Sequence, residues 1–170
     1  ATFPDSLTTI ENTAFYKTGL TELSTNNVET IGASAFYMCK SLESADLNHV
    51  KTIGNDAFNG CEVLKTVDFG DSLESMGKNA FNECKKLEAA IMPDTLESIG
   101  ESAFDYCIAL KSAKMRGVKT IGNSAFCNCG ALADVEIGEK LKSIDGHAFY
   151  ECKSIKSIYL PDGFEKLGQY

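Results

Sequence analysis

The chain has 170 residues, of which 44% are hydrophobic and 24% charged, an ordinary globular composition that is large enough to bury one core. A formal net charge of −8 and a single arginine, Arg116, exclude the usual nucleic-acid binders, which need a cluster of basic residues to contact phosphates. No apolar run reaches the roughly eighteen residues of a transmembrane helix, so we expect no membrane insertion by this segment. We expect one domain over residues 1–170.

The dipeptide Ala-Phe recurs through the whole chain and defines a repeat. The intervals between successive copies are 21, 22, 23, 23, 22 and 23 residues. The seven copies are Ala14-Phe15, Ala35-Phe36, Ala57-Phe58, Ala80-Phe81, Ala103-Phe104, Ala125-Phe126 and Ala148-Phe149. Units of this length cannot bury their own apolar side chains, so the pattern predicts stacked copies that cover one another.

Each unit begins with the residues around Ala-Phe. In six of the seven copies the preceding residue is Thr, Ser, Asp or Asn, the types that favour helix N-caps. These residues are Thr13, Ser34, Asp56, Asn79, Ser102 and Ser124. We therefore expect Ala-Phe-x-x-Cys to begin a short helix whose Phe and Cys face the core.

An alternating segment follows in each unit, as in Leu64-Lys-Thr-Val67-Asp-Phe69 and Ile155-Lys-Ser-Ile158-Tyr-Leu160. Alternation of apolar and polar residues predicts a strand with one buried face. A second apolar segment then ends in Ile-Gly, and its Thr or Ser residues should form a hydroxyl row. The whole predicts an α/β solenoid of about seven repeats of 22–23 residues, with a parallel sheet on one face and short helices on the other.

The repeated motif φ-x-x-Ile-Gly-x-x-Ala-Phe-x-x-Cys-x-x-Leu-x-x-φ-x-φ resembles the BspA-like, or Treponema pallidum type, leucine-rich repeat. The resemblance extends from Phe3 to Gly168. The first unit lacks the cysteine, and Asp145 replaces the glycine of the seventh. Because Phe3-Pro4-Asp5 aligns with Leu160-Pro161-Asp162 and no polar caps are evident, we expect the chain to be a piece of a longer leucine-rich-repeat protein.

The cysteines are a ladder with one member outside it. Six recur at a core position, one per unit. This spacing does not bring two Cβ atoms close enough for a disulfide, and it does not form the clustered ligand pairs of a metal site. It therefore favours buried free thiols. These are Cys39, Cys61, Cys84, Cys107, Cys129 and Cys152. Cys127 follows Phe126 in a row that should face outward, so we expect an accessible thiol there without a function.

No catalytic grouping can be assembled from the sequence. The two histidines, His49 and His147, fall in distant units, so neither can serve a shared nucleophile. No phosphate-binding glycine loop is present either. We expect no enzymatic activity and no cofactor.

The outward strand positions offer two rows of interest. One row, Glu43, Lys65, Glu88 and Lys111, alternates in sign and should favour correct register. The other mixes charged and apolar residues, as a protein-binding face does, although single exposed apolar residues are also normal on any surface. Its members, our candidate protein-binding face, are Asp46, Asp68, Ile91, Lys114, Glu136 and Tyr159, with Ser24 at the start of the same row.

Two functions are compatible with these observations. The first is a non-enzymatic, adhesin-like interaction module that binds a protein through its sheet face. The family resemblance implies a cell-surface or secreted setting and a host extracellular or surface protein as partner. The second is a passive spacer whose activity resides in another domain. The free thiols keep an intracellular location open.

Overall fold

The computed structural model describes residue 1 and residues 3–169, and these contain fourteen short strands and no helix. Six strands of three or four residues form the two front sheets. They are β2 (Glu22–Ser24), β4 (Ser44–Asp46), β6 (Thr66–Asp68), β8 (Ala89–Ile91), β10 (Ser112–Met115) and β12 (Asp134–Ile137). Eight two-residue strands form the two side sheets. They are β1 (Thr9–Ile10), β3 (Thr30–Ile31), β5 (Thr52–Ile53), β7 (Ser75–Met76), β9 (Ser98–Ile99), β11 (Thr120–Ile121), β13 (Ser143–Ile144) and β14 (Lys166–Leu167).

All pairing between strands is parallel and joins equivalent residues of adjacent units. The front sheets have the orders β2-β4-β6 and β12-β10-β8, and the side sheets β1-β3-β5-β7 and β14-β13-β11-β9. Ile31 of β3, for example, pairs with Ile53 of β5. The predicted parallel solenoid of leucine-rich-repeat type is thus confirmed, with successive copies side by side.

The predicted short helices are wrong, because the backbone around Ala-Phe hydrogen-bonds to the next unit instead of to its own preceding turn. The Phe36 N–H donates to the Ala57 carbonyl at 2.8 Å, and the Met38 N–H to the Asn59 carbonyl at 2.7 Å. In an α-helix with Ser34 as its N-cap, the Met38 N–H would instead bond to the Ser34 carbonyl four residues earlier. The remaining N–H groups, such as that of Tyr37, close tight turns to the residue three positions back. Each unit therefore has a third ladder, which we call the turn side.

The residues interpreted as N-caps have a different role. Every residue that precedes Ala-Phe lies in the left-handed region, with φ between 51° and 58° from Thr13 to His147. Asn, Asp and His tolerate this region better than other non-glycine residues. The polar residues at this position thus signal a turn of left-handed backbone, which sequence preference alone does not distinguish from an N-cap.

A stack of phenylalanine rings forms the centre of the core. From Phe15 to Phe149, rings of adjacent units lie 5.0–5.5 Å apart between centroids and within 8° of parallel. The five inner rings are fully buried, whereas Phe15 and Phe149 at the two ends are only partly buried. The predicted inward orientation of phenylalanine and cysteine is confirmed.

The last predicted strand does not form. Residues 155–160 contain no strand. The outer edge of β12 is the ladder that they could join, and they make no backbone pairing to it. The Thr and Ser row lies in register along the side sheets, as Thr30, Thr52 and Ser75 illustrate. No hydrogen bond joins these three hydroxyls within the described residues, so the register of the row is confirmed and its bonding is not.

Close stacking makes Gly138 a sensitive position, which a substitution can test. A Cβ atom at Gly138 would lie 2.0 Å from the Arg116 carbonyl oxygen, whereas one at Gly130 would meet no atom within 4 Å. We expect Gly138→Ala to lower the free energy of unfolding by about 1–3 kcal/mol, the usual cost of overpacking. The matched control Gly130→Ala should change it by less than about 0.5 kcal/mol. Denaturant unfolding of both variants measures this, and equal stabilities would contradict the stacking described here.

Candidate protein-binding face

The front sheets bring most of the candidate row together. Asp46 of β4 pairs in register with Asp68 of β6, and Lys114 of β10 lies between Ile91 of β8 and Glu136 of β12. All five side chains are outside the core. Tyr159 is outside any strand, and 71% of its surface is exposed. The candidate residues therefore form two short rows on the front sheets, followed by an aromatic residue beyond them.

The acidic residues of the row have structural partners. The Asp46 carboxylate accepts the Asn48 N–H at 3.2 Å, and the Asp68 carboxylate accepts the Gly70 N–H at 3.0 Å. Both are turn-stabilising bonds of the kind short acidic side chains make with the backbone two residues on.

Glu136 is held by two basic neighbours. Its carboxylate lies 2.5 Å from Arg116 Nε and 3.5 Å from Lys114 Nζ. The hydrogen bond from Arg116 lowers the pKa of Glu136 below its ordinary value. Because all three side chains are largely exposed, these pairs contribute little to stability. They fix the positions of charges on the surface.

The apolar members of the row have no such partners. Ile91 is 58% exposed at the centre of the front surface. A depression of about 380 Å³ lies on the neighbouring part of the face, lined by Glu22, Ser24, Asp46 and Asp68 among others. The front surface thus combines exposed apolar side chains with fixed charges and a shallow hollow.

The predicted alternating charge ladder is confirmed in part. Glu88 lies 3.5 Å from Lys65 and 3.2 Å from Lys111, and the hydrogen bond from Lys111 lowers the pKa of Glu88. Glu43 forms no ion pair among the described residues. Sequence analysis missed a second network on the turn side, in which Glu62 contacts Lys40 at 3.1 Å and Lys85 at 3.5 Å. The sequence signal for this network is the same as for the front row, namely opposite charges at equivalent positions of adjacent units.

The cysteine ladder consists of buried, free thiols, as predicted. Each Sγ–H donates to the phenylalanine carbonyl of the preceding unit, at distances from 3.0 to 3.4 Å. Burial raises the pKa of Cys84 and Cys107 well above the ordinary value for a thiol. These groups are therefore neutral donors in the core.

The expectation of an accessible Cys127 is wrong. Only 9% of this residue is exposed, and Asn128 Nδ2 lies 3.1 Å from its sulfur. Burial, together with the nearby Asp105 carboxylate, raises the pKa of the Cys127 thiol to about 11. Cys127 is less exposed than its repeat position indicates. The Asn128 and Asp105 side chains lie beside its sulfur, and they bond to each other at 3.1 Å.

The histidines and the possible metal ligands are dispersed in residues 1 and 3–169. No three His, Cys, Asp or Glu side chains in this range lie close enough to share a metal ion. His147 packs edge-on against Tyr150, with ring centroids 5.8 Å apart, and His49 is exposed in a remote turn. The same residues contain no helix of the length and apolarity needed to cross a bilayer.

Comparison with known proteins agrees with this architecture. A family model described as the BspA type leucine rich repeat region matches residues 1–88 and 75–170, in six copies. None of the curated proteins compared matches the chain. The repeats are thus recognised along essentially the entire sequence, and a leucine-rich-repeat solenoid is typically a non-enzymatic interaction or scaffold module.

Solved structures share the fold. A leucine-rich repeat protein from Bacteroides ovatus is 30% identical with a TM-score of 0.86, and the match covers 95% of this chain but only 43% of that protein. The T. pallidum leucine rich repeat protein is also 30% identical, with a TM-score of 0.75, over 88% of this chain and 67% of its own. A leucine rich cell surface protein from Faecalibacterium prausnitzii, 23% identical over 95% of this chain and 60% of its own, has a TM-score of 0.63 and supports the fold alone.

The protonated, hydrogen-bonded state of the thiols predicts their reactivity. Because only a thiolate attacks a disulfide reagent, we expect Ellman's reagent to label the native protein very slowly near pH 8 and all seven cysteines after unfolding in guanidinium chloride. Cys127 and Cys152, each 9% exposed while the other five thiols are fully buried, should react first, so replacing both by serine should remove the earliest phase. Rapid native labelling of several thiols would contradict the assignment of the ladder.

Proposed function

The chain belongs to the BspA-type leucine-rich repeat family, and from this premise we propose that it is a non-enzymatic protein-interaction module that binds through its front sheets. A stacked solenoid presents a continuous surface that does not need to be ordered when a partner binds, which lowers the entropic cost of association.

The exposure of Ile91 is the observation that carries this proposal. It is a large aliphatic side chain, 58% exposed, on a strand whose inward residues are buried and whose outward neighbours are charged. An apolar anchor surrounded by polar groups is the usual composition of a binding hot spot. Tyr159, more exposed still, extends the same surface. Asp46, Asp68, Lys114 and Glu136 would then supply the polar rim that sets orientation.

We further propose an adhesin-like role at the cell surface or in the extracellular space, with a host extracellular or surface protein as partner. The family resemblance supports this setting. The chain spans less than half of the length of the Bacteroides ovatus protein that it matches, so the activity of a whole protein containing these repeats is part of the same proposal. The sequence encoded upstream tests the setting, since a secretory signal peptide is expected there and an uninterrupted cytosolic start would contradict it.

A passive spacer is the second candidate. The observation in its favour is that the charged members of the row already have partners within the chain, Glu136 with Arg116 and the two aspartates with turn N–H groups. Charges that are satisfied internally give less to an interface. A spacer predicts that no substitution on the front surface changes binding.

A matched pair of isoleucines separates the two functions. Ile91 on the front and Ile108 on the turn side are exposed to similar extents, 58% and 52%. We expect Ile91→Asp to weaken binding to a purified vertebrate extracellular-matrix glycoprotein by at least about tenfold, because it places a charge in the apolar centre of the contact. Ile108→Asp should bind like the unmodified chain. Biolayer interferometry with the repeats immobilised measures both.

The outcomes are distinct. Equal loss in both variants would indicate a folding defect, which circular dichroism of each variant checks, and equal binding by all three proteins would overturn the front-surface site. Tyr159→Ala gives an independent test at the far end of the row, with an expected loss of several-fold. Binding by none of the proteins across a panel of matrix glycoproteins and collagens would contradict the proposed partner class.

A further inference from the structure

The stack has one junction that differs from all others, which we call the seam. It separates residues 66–83 from residues 89–106, two stacked stretches that each contain a front strand, a side strand and a ring, Phe81 in the first and Phe104 in the second. On the front, β6 does not pair with β8, and on the side, β7 does not pair with β9, so both sheets end at the same place. Every other pair of neighbouring side strands is hydrogen-bonded.

Backbone bonds that recur at the other junctions are missing at the seam. Along the side sheets, the residue before each strand donates to the preceding unit at 2.7–2.9 Å, and the residue after it, usually glycine, at 2.7–3.0 Å. The equivalent N–H groups at the seam belong to Glu97 and Gly100, and neither has a backbone acceptor among the described residues. On the front, the N–H of Phe69 likewise has none, whereas that of Leu47 donates to Asp68 at 2.8 Å.

The backbone bond that crosses the front of the seam is stretched. The Glu88 N–H reaches the Lys65 carbonyl at 3.3 Å, compared with 2.7–3.0 Å for equivalent bonds at other junctions. The ring stack continues across the seam, because Phe81 and Phe104 lie 5.5 Å apart between centroids and the other stacked pairs lie 5.0–5.4 Å apart.

The seam also lacks an ion pair along the side row. Glu74 and Glu97 occupy equivalent positions across it, whereas in the same row Glu29 and Lys51 attract each other at 3.0 Å, and Glu97 and Lys119 at 2.6 Å.

The turn side of the seam is intact. The N–H groups of Asn79, Phe81 and Glu83 each donate to the next unit at 2.8 Å, and Lys78 contacts Glu101 at 2.7 Å. Near the side sheets, the only side-chain hydrogen bonds across the seam among the described residues are those from the Thr95 hydroxyl to the carbonyls of Leu73, at 2.7 Å, and Asp71, at 3.1 Å. The junction thus keeps its backbone hydrogen bonds along the turn side and loses strand pairing along the other two edges.

We propose that the seam is a hinge, about which the units before and after it move as two rigid blocks. The turn-side ladder is the axis, the side and front edges open, and the Thr95 hydroxyl limits the opening. Ile91 lies on the strand that borders the seam, and Asp68 on the facing strand, so opening changes the distance between the two halves of the front surface. That consequence for binding rests on the proposed function, whereas the hinge does not.

Amide hydrogen exchange resolved by NMR on the whole chain tests the hinge. We expect the Glu88 N–H, which bonds across the seam, to exchange at least about tenfold faster than the equivalent N–H groups of Lys65 and Lys111, because local opening exposes it. The Phe81 N–H should remain as protected as those of Phe58 and Phe104, because the axis stays closed.

Two threonines provide the matched variants. Thr95→Val removes the hydroxyl bonds across the seam and should accelerate exchange at Glu88 several-fold without changing Phe81. Thr120→Val makes the same change at an exposed side-strand threonine that forms no side-chain hydrogen bond in the described chain, and should leave both rates unchanged. Equal protection of Glu88, Lys65 and Lys111 would overturn the hinge, and so would acceleration of Phe81 together with Glu88, which would indicate complete separation of the blocks. Neither measurement involves a partner.

Discussion

From Phe15 to Phe126, the carbonyl oxygen of each stacked phenylalanine accepts two hydrogen bonds, one within its unit and one from the next. The Phe81 oxygen, for example, accepts the Cys84 N–H and the Cys107 thiol, both at 3.2 Å. A carbonyl buried without a partner would cost free energy, and the second bond adds a tie between neighbours. This explains why a small side chain with a weak donor recurs at this position, since valine could fill the space but could not donate. The first repeat of this sequence has Thr18 there instead.

Stacking at this separation also decides the backbone conformation. Once each unit lies within hydrogen-bonding distance of the next along three ladders, the N–H groups on the turn side are used between units and cannot be used for a helix. Left-handed residues such as Asp56 and Asn79 then turn the chain so that alternate N–H groups point to the neighbour. At the junction between residues 66–83 and 89–106, two of the three ladders are lost although the ring stack continues. A uniform core does not guarantee uniform contacts between units.

The front surface reflects the same repetition. In-register strands place side chains of one repeat position side by side, so each unit contributes one residue to a row on the surface. The chemistry of that row can vary without disturbing the core. Asp46 and Asp68 use their carboxylates to close turns, and Glu136 is restrained by Arg116, which leaves Ile91 and Tyr159 as the side chains without an internal role. The separation of a buried, invariant pattern from a variable outer row is what allows one fold to present different surfaces.

The sequence by itself determined the number of units, their parallel stacking, the inward residues and the outward row, because the phase of a side chain within its repeat decides which face it occupies. The phenylalanine and cysteine ladders could be assigned in this way, as could the candidate face from Asp46 to Tyr159. Only the tertiary structure decided that Ala-Phe opens a turn instead of a helix, that Cys127 is covered, that the strand expected near Ile158 is missing, and that the stack is loose beside Glu97. Each of these depends on hydrogen bonds between units or on packing of side chains from different units. The conformational preference of one segment carries no information about the hydrogen-bonding groups and side chains of the neighbouring unit.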